Sequence, residues 1–177
     1  NNTIYDSLTH IIPISFPYSN DFDHIIAGMN GAFDTDWTAL PDDGGFMWQS
    51  NIGTTTSSTT GPNGDHTSGT GTYLYTEASA GMTGDTAQLI STCIELPATG
   101  SPIMSFYYHF YGQTIDGLYI EVFYNNQWEI VDSIIGQQQT SDSDPWEEKL
   151  VSLIPYVGSV VNLRLVAIKG TSFYGDM

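Results

Sequence analysis

Apolar and polar residues alternate along many short segments of this chain, and a period of two residues predicts β-strands. Gly, Pro, Asn and Asp separate these segments, and none of them carries the longer period of an amphipathic helix. The pattern therefore predicts an all-β fold, most simply an antiparallel two-sheet β-sandwich. The predicted strands are residues 11–18, 37–40, 72–77, 87–96, 103–112, 117–124, 128–134, 148–153 and 160–168.

Two long segments interrupt the predicted strands. Residues 41–70 are rich in Gly, Ser and Thr, with one apolar group at Phe46-Met47-Trp48, and residues 136–146 are acidic. Loops of this length inside a compact domain are usually functional or are ordered by other contacts. The segment "YNNQW", residues 124–128, predicts instead a tight hairpin turn, because Asn tolerates a positive φ.

The charge of the chain excludes two classes of partner. Its 177 residues include 20 Asp and Glu against 3 Lys and Arg, for a formal net charge of -17. Nucleic acids and anionic membrane surfaces both require clustered cations, so we expect neither as a partner. We also expect no membrane insertion, because the sequence has no apolar run of about 18 residues. A lone Cys93 excludes a disulfide within this sequence.

The triplet Asp65-His66-Thr67 admits three interpretations: catalysis, a metal site, or a structural network that ties a loop to a sheet. Catalysis requires a nucleophile beside its base, whereas neighbouring side chains on an extended segment point to opposite faces. A buried polar group that lacks a partner costs about 1–3 kcal/mol. We therefore predict a structural network in which Asp65 accepts hydrogen bonds and His66 packs beneath the loop.

Aromatic residues supply the candidate ligand-binding positions. In "SFYYHFYG", residues 105–112, a Phe set expected to lie in the core alternates with Tyr107, His109 and Tyr111. Trp48 lies in the long polar loop, where an exposed ring could stack on a sugar while Asn and Gln bind its hydroxyl groups. These four residues are the predicted ligand-binding residues.

Several segments together resemble the MAM domain family of meprins, neuropilins and receptor tyrosine phosphatases. They are "DFD" (21–23), "FDTDW" (33–37), "TGPNGDHTSGTGTYLYTEAS" (60–79), "TAQLIST" (86–92), "MSFYYHFYG" (104–112), "DGLYIEV" (116–122) and "PWEEKLVSL" (145–153). Residues 21–177 are thus identified as a MAM-like domain and residues 1–20 as a lead-in segment. The resemblance implies a jelly-roll β-sandwich that serves as a secreted, extracellular and non-catalytic interaction module. The segment "ISFPYSNDFD" is similar to the start of such domains in secreted proteins of marine Bacteroidetes.

The resemblance also implies a structural cation near the start of the domain. Its candidate ligands are the carboxylates of Asp23, Asp34 and Asp36, with a contribution from Asp65. Oxygen ligands of this kind suit Ca²⁺, which we expect as the cofactor, with Na⁺ as the alternative. Family members usually continue to an Asp-Asp pair, and animal members carry paired cysteines that are missing here. The resemblance therefore implies that the last strand, and part of the cation site, lie beyond Met177.

Three functional hypotheses follow. The first is a binding module of a secreted multidomain protein that recognises a polysaccharide or another glycan, beside a glycanase or peptidase domain. The second is a protein–protein adhesion or assembly module. The third and most remote is a glycan-active jelly-roll enzyme that uses His66, His109 or Tyr111. The sequence does not separate the first two hypotheses.

Overall fold

A computed structural model of the protein describes residues 13–40 and 44–177, and in these ranges the chain forms β-strands and one turn of 3₁₀ helix. The first two residues of the predicted strand 11–18 lie outside the described residues. The strands are β1 (Ile14–Ser15), β2 (Trp37–Leu40), β3 (Trp48–Ile52), β4 (Thr72–Thr76), β5 (Thr86–Ser91), β6 (Ile94–Glu95), β7 (Ile103–Tyr108), β8 (Gly117–Tyr124), β9 (Gln127–Ile135), β10 (Glu147–Ser152) and β11 (Val160–Ile168), and the helical turn is Ile154–Tyr156.

One side of the molecule is a continuous sheet centred on the long strand β11. Strand β8 pairs along one edge of β11 and β9 pairs with β8, while β5 and then β2 extend the sheet from the other edge. The short strands β6 and β1 continue beside the first residues of β11. Every pairing is antiparallel except that of β1 with β6, which is parallel.

The register of this sheet directs alternate residues into the core. Leu89 of β5, Leu165 of β11 and Ile120 of β8 lie side by side, and all three are buried. Apart from Gly117, the residues at the intervening positions of β5, β8 and β11, such as Arg164, are half-buried or exposed. The sheet thus has an inner face in the core and an outer face directed away from it.

Two strand pairs, β3 with β4 and β7 with β10, form the opposite side of the molecule. Trp48 of β3, Met104 of β7 and Val151 of β10 belong to the same buried cluster as Leu89 and Ile120 of the continuous sheet. The two sides therefore pack face to face, which confirms the predicted all-β sandwich.

The structure differs from the predicted elements in several places, and within the described residues 13–18 the predicted first strand is reduced to Ile14–Ser15. Strand β3 lies in the predicted long loop, because its inward position at Ser50 is polar and interrupts the apolar alternation. The Ser50 hydroxyl is nevertheless buried without loss of partners, since it donates to the Ile26 carbonyl and accepts from the Met29 amide. Predicted strand 87–96 is interrupted after Ser91, and predicted strand 103–112 ends at Tyr108.

The predicted hairpin turn is confirmed. Asn125 and Asn126 join β8 to β9 and have φ angles of 49° and 65°. Asn is one of the few residues other than Gly that adopts this conformation at low cost.

Candidate functional site

A loop anchored by one buried carboxylate leads into β4. The side chain of Asp65 is buried and accepts hydrogen bonds from the backbone N–H groups of Thr67, Ser68 and Gly71, at 2.8, 2.9 and 2.6 Å. The Ser68 hydroxyl donates a fourth, at 3.0 Å. These bonds fold residues 65–71 around the carboxylate.

The same donors determine the charge state of Asp65. Burial alone would raise its pKa, but the donors from Ser68, Gly71 and Thr67 stabilise the charged form more strongly and hold the pKa below its ordinary value. Asp65 is therefore a carboxylate whose two oxygens already carry two donors each.

His66 points outward, so the predicted packing of His66 beneath the loop is wrong. Both His66 and Thr67 are exposed. The imidazole instead stacks on the ring of Tyr107 in β7, with ring centroids 3.5 Å apart and an angle of 13° between the ring planes. Residues 66–68 form a turn, and from it His66 reaches across to Tyr107 of β7. No hydrogen bond between His66 and a hydroxyl group is present in the described part of the chain.

A cleft of about 540 Å³ opens between β4 and β7. Tyr73 and Leu74 of β4 line one side, and Met104 and Phe106 of β7 line the other. Its floor is formed by residues of the continuous sheet, namely Leu89, Leu118, Leu163 and Leu165. The stacked rings of His66 and Tyr107 also line the cleft, as do several residues between Phe16 and Phe22.

Two of the predicted ligand-binding residues are buried, which contradicts the exposure that ligand binding would require. Trp48 belongs to β3 rather than to a loop, is 6% exposed, and donates its ring N–H to the Ala87 carbonyl. His109 is 2% exposed and packs against Trp146, with ring centroids 5.7 Å apart. Trp48 faces inward because β3 lies against the core, and His109, which follows the end of β7, is buried beside Trp146.

The His109 ring has no hydrogen-bond partner at either nitrogen, although the backbone of Asp144 lies near it without the geometry of a hydrogen bond. Burial lowers the pKa of His109 below its ordinary value. The ring is therefore neutral at neutral pH, and at that pH it carries no charge for a ligand.

Tyr107 and Tyr111 differ in what they offer to a ligand. The Tyr107 ring is 45% exposed, with one face covered by His66, so it is the most accessible of the four predicted ligand-binding residues. Tyr111 is half-buried, and its carbonyl accepts a hydrogen bond from the Gly61 amide at 2.7 Å. Tyr111 thus joins the segment after β7 to the loop that precedes β4.

The predicted cation ligands lie in two separate places. Asp23 accepts a hydrogen bond from the Thr72 amide at 3.1 Å, and a Cβ on Gly71 would clash with both Asp23 and Asp65. Asp34, by contrast, accepts hydrogen bonds from the amides of Asp36 and Trp37 and from the Asn20 side chain.

Asp34 and Asp36 line a small acidic cleft of about 450 Å³ together with Asp21 and His24. Within residues 13–40 and 44–177, no three His, Cys, Asp or Glu side chains are arranged to hold a metal ion. Since Asp34 and Asp65 already direct their oxygens at hydrogen-bond donors, the four predicted ligands do not fit one Ca²⁺ site.

The outer face of the continuous sheet is a surface that the sequence analysis did not identify. Near its centre, Arg164 donates from Nε to Glu121 at 2.6 Å and from Nη1 to Gln88 at 3.1 Å, and its guanidinium lies 3.9 Å from the centre of the Trp128 ring. Around this group the face is mostly apolar and aromatic. Its outward residues include Leu40, Gln88, Ile90, Tyr119, Glu121, Phe123, Trp128, Ile130, Asn162, Arg164 and Val166.

Two features of the sequence could have revealed this surface. "VVNLRLVAI", residues 160–168, places Arg164 at an outward position of a strand in a chain with few cations. "YIEVFY", residues 119–124, places Glu121 and Phe123 on the same outward alternation. When the outward positions of a strand are partly polar and partly apolar, the pattern indicates a sheet face that is neither packed in the core nor fully exposed to water.

Comparison with known protein families places this fold. The family model described as "MAM domain, meprin/A5/mu" matches residues 30–177. The chain belongs to the MAM family. Ile25, which precedes the matched range, is buried in the core, so the packed MAM domain includes residues before 30.

Individual relatives agree with this assignment. The chain is 34% identical over 131 residues to human (Homo sapiens) MAM domain-containing protein 2, covering 73% of this chain and 18% of the relative. It is 28% identical over 138 residues to neuropilin-1a of Danio rerio, covering 78% of this chain and 15% of the relative. The chain thus spans less than a fifth of the length of either relative.

Among solved structures, the K1 cleaved adhesin domain of Lys-gingipain from Porphyromonas gingivalis W83 has a similar fold, with a TM-score of 0.55. It is 14% identical, and the match covers 89% of this chain and 90% of that domain. At this identity the likeness concerns the β-sandwich alone. In the part of the MAM chain that the structure describes, no helix is long and apolar enough to cross a membrane.

Proposed function

We propose that this MAM chain is a non-catalytic, extracellular adhesion module that binds a protein partner through the outer face of its continuous sheet. The observation that carries the proposal is the low charge at the centre of that face. On β2, β5, β8, β9 and β11 the charged residues at outward positions of the ladder are Glu121 and Arg164, which pair with each other, and Glu95 lies at the β6 end of the sheet, whereas the whole chain has a net charge of -17. A large partner can therefore approach this face with less electrostatic repulsion than the rest of the surface would impose.

The chemistry of the face suits a protein partner. Ile130 of β9 is 63% exposed, near the half-buried rings of Phe123 and Trp128, and Leu40 of β2 is 41% exposed at the other edge of the sheet. Contiguous exposed apolar surface marks interaction sites in soluble proteins. Aromatic residues and Arg are enriched in protein interfaces, where they supply most of the binding free energy.

The pairing of Arg164 prepares the face for binding. Its guanidinium is held by Glu121, Gln88 and the Trp128 ring before any partner arrives. A side chain that is already ordered loses less conformational entropy on association. This loss therefore offsets less of the favourable free energy of the contacts with the partner.

The simplest partner to test is a second copy of the chain. We expect concentration-dependent self-association in sedimentation velocity that strengthens between 50 and 500 mM NaCl, since salt screens the repulsion between two acidic chains. Ile130→Asp should weaken association at least tenfold by placing a charge on the face. Ile26→Asp is the matched control, because Ile26 is also exposed but lies outside the face.

A glycan ligand is the second candidate, and the exposed Tyr107 ring favours it. One face of this ring is covered by His66, which leaves the other for a sugar. Trp48 offers no such surface because it is buried, and one face of Trp128 is covered by Arg164. Binding of a polysaccharide that Tyr107→Ala abolishes, by a chain that stays monomeric at every salt concentration, would contradict the protein-binding proposal.

The surroundings of His66 and His109 support a non-catalytic role for both. Catalysis by His66 needs a nucleophile within hydrogen-bond reach. The contact found for its ring is the stack on Tyr107, and the His109 ring is buried. We expect His66→Ala to leave partner binding through the outer face unchanged.

A further inference from the structure

The sandwich is closed along one side margin and open along the other. On the closed margin, residues 28–33 run along the outer edges of β3 and β2. There the Ser50 amide donates to the Met29 carbonyl at 2.9 Å, and the Ala39 amide donates to the Gly31 carbonyl at 2.7 Å. On the opposite margin, β9 pairs with β8 alone and β10 pairs with β7 alone among the described residues. We call the free edges of β9 and β10 the open margin.

The backbone of β9 directs hydrogen-bonding groups at the open margin. The two-residue turn after β8 has positive φ angles at both residues, as in a type I′ turn, which directs the Gln127 amide back to β8. Since the amides of a strand alternate in direction, that of Glu129 also points to β8, and those of Trp128 and Ile130 point to the free edge. Such groups can pair with an added strand.

Two carboxylates of β9 lie on the inner side of the open margin. Glu129 and Asp132 are opposite Val122 and Ile120 of β8, whose side chains are fully buried. Because opposite residues of an antiparallel pair share a face, Glu129 and Asp132 also point to the inner side of the sheet. They stay half-buried at the margin rather than in the core, since β9 is the last strand of the sheet.

The opposite side of the sandwich adds further ionisable residues to the open margin. Glu147 and Lys149 lie on the inner side of β10, and Lys149 Nζ is 2.8 Å from Asp132 Oδ1. Tyr156, which follows β10, donates its hydroxyl to Glu129 Oε2 at 2.9 Å. Strands β9 and β10 together carry four carboxylates, and Lys149 is their only cation. The open margin therefore has an excess of negative charge.

The chain has few other cations to offer these carboxylates. Arg164 pairs with Glu121 on the outer face, and Lys169 is only 6% exposed. In a chain with a net charge of -17, an added acidic strand would be repelled and an added basic strand would be attracted. The charge of the open margin thus favours a basic partner.

The outer side of the same edge is apolar. Trp128 and Ile130 lie opposite Phe123 and Glu121 of β8 and point outward, and Ile130 is 63% exposed. The side chains of a neighbouring strand would lie directly beside these two residues and remove apolar surface from water. An added strand would therefore meet acidic groups on one face and apolar groups on the other.

From these observations we infer that the open margin binds an extended segment of a basic partner protein, which adds to the continuous sheet as a strand beside β9. Lys or Arg residues of the segment face Glu129 and Asp132, and they alternate with Val or Ile residues that cover Ile130. A second copy of β9 is a poor occupant, because it would bring more carboxylates to the same margin. Binding at the open margin does not require that the outer face bind a partner.

The first test uses three synthetic peptides with blocked termini and the chain as printed. Lys-Val-Lys-Val-Lys-Val-Lys has the inferred alternation, Lys-Lys-Val-Val-Val-Lys-Lys has the same composition without it, and Glu-Val-Glu-Val-Glu-Val-Glu has the opposite charge. We expect the alternating basic peptide, at about 100 μM, to slow hydrogen exchange of the Trp128 and Ile130 amides about fivefold or more. The amides of Gln127 and Glu129, which point to β8, should be unaffected, and the other two peptides should have no such effect.

Salt separates this binding from self-association through the outer face. Protection by the alternating basic peptide should weaken between 50 and 500 mM NaCl, because salt screens the attraction between opposite charges. Self-association of two acidic chains should strengthen over the same range. Peptide binding that is insensitive to salt would contradict the role of the carboxylates.

Two variants at one position test the strand pairing. Ile130→Pro and Ile130→Ala both remove the exposed side chain, so they should weaken self-association alike, but only Ile130→Pro removes the N–H group that points to the free edge. We expect Ile130→Pro to abolish protection of the Trp128 amide by the peptide and Ile130→Ala to retain most of it. Thermal melting checks that both variants are folded.

A third variant tests the charge without changing the backbone. Glu129→Gln keeps an acceptor for Tyr156 and should weaken peptide binding about threefold, as expected for the loss of one partly exposed charge pair. Asp142→Asn, in the acidic loop, is the control for the loss of one negative charge elsewhere, and it should have a smaller effect.

Several results would overturn the inference. They are equal protection by the two basic peptides, no protection by either, or equal loss of protection in Ile130→Pro and Ile130→Ala. Protection of the Trp128 and Ile130 amides in the chain alone would also overturn it. If that protection rose with protein concentration, the occupant of the edge would be a second copy, and if it did not, the edge would already be covered within the chain.

Discussion

Strand β11 is paired along both edges, whereas β4 and β7, on the opposite side of the sandwich, are each paired along one edge in the described part of the chain. On the continuous side, each inward residue has an inward neighbour on the next strand, as in the row Leu89, Leu165 and Ile120. On the divided side, apolar side chains border a cleft and polar atoms such as the Thr76 hydroxyl lack partners. The side of the sandwich on which the backbone pairing is continuous is thus also the side on which the inward side chains are packed against one another.

The largest effect that this comparison predicts is a difference between two core truncations. Ile120 is 0% exposed in the middle of β8, whereas Leu74 of β4 is half-buried beside the cleft. We expect Ile120→Ala to lower the free energy of unfolding by about 2–5 kcal/mol. Leu74→Ala removes a similar side chain but should cost less than about 2 kcal/mol, because its site is already partly open. Urea denaturation measures both, and equal losses would mean that the two sides are packed alike.

A second prediction concerns Asp176, on the divided side. Burial raises the pKa of this carboxyl to about 7, from an ordinary value near 4. Since the folded-state pKa is raised, the stability that the protonated group contributes is present below about pH 4 and is lost as the pH rises through about 7.

Asp176→Asn keeps the shape of the neutral acid and removes this loss. When the pH is raised from 4 to 8, the free energy of unfolding of the variant should therefore increase relative to that of the parent chain, by an amount on the order of a few kcal/mol. Asp142→Asn, in the exposed acidic loop, controls for the removal of one negative charge. A difference between Asp176→Asn and the parent chain that stays constant over this pH range would contradict the burial of a proton at Asp176.

The contrast between the two sides also explains how far the sequence predicted the structure. The continuous side was predicted well, since β8 and β11 alternate cleanly between apolar inward and mixed outward residues. The divided side was predicted less well, because β3 carries the buried Ser50, whose hydrogen-bond partners Ile26 and Met29 are distant in sequence. The alternation of apolar residues predicts which apolar side chains point inward. It does not predict a polar side chain that is buried together with its hydrogen-bond partners.

The candidate site shows the same limit. Asp65 was predicted as an acceptor because a buried polar group needs hydrogen-bond partners, and in the structure its donors are local. The orientation of His66 depends on Tyr107, a residue of another strand, and the burial of Trp48 depends on Ala87. Contacts between distant segments decide which polar and aromatic side chains reach the surface. The sequence pattern along one segment carries no information about these contacts.

A third and smaller effect is expected at the two hydrogen-bonded aspartates that organise loops. Asp65 on the divided side is buried, while Asp144 accepts a similar set of donors from Thr140 and Ser141 at the surface. Asp65→Asn should lower the free energy of unfolding by about 1–3 kcal/mol at pH 7, since an amide cannot accept all four donors. Asp144→Asn should cost less, because water can replace the carboxylate.

The pH dependence separates this mechanism from a general loss of packing. Burial alone would raise the pKa of Asp65 in the folded state. The hydrogen bonds that its carboxylate accepts lower the pKa more strongly, so it lies below the ordinary value. Its stabilising contribution is thus present above about pH 4 and is lost as the pH falls through the lower folded-state pKa. The deficit of Asp65→Asn should therefore shrink on acidification below about pH 4. A deficit that stays constant to pH 2 would indicate that the variant disturbs packing instead.

The smallest expected effect is that of Ca²⁺ on the described part of the domain. A cation that binds only the folded state raises Tm in proportion to the logarithm of its concentration over its Kd. Asp34 and Asp65 lie in different places and direct their oxygens at N–H donors, so binding would have to displace these hydrogen bonds. We accordingly expect 2 mM Ca²⁺ or excess chelator to move Tm by less than about 1 °C. A shift of several degrees that Asp23→Asn removes would contradict this expectation and would place the cation beside β4, where Asp23 approaches Gly71. Such a cation would stabilise the divided side and reduce the difference between Ile120→Ala and Leu74→Ala.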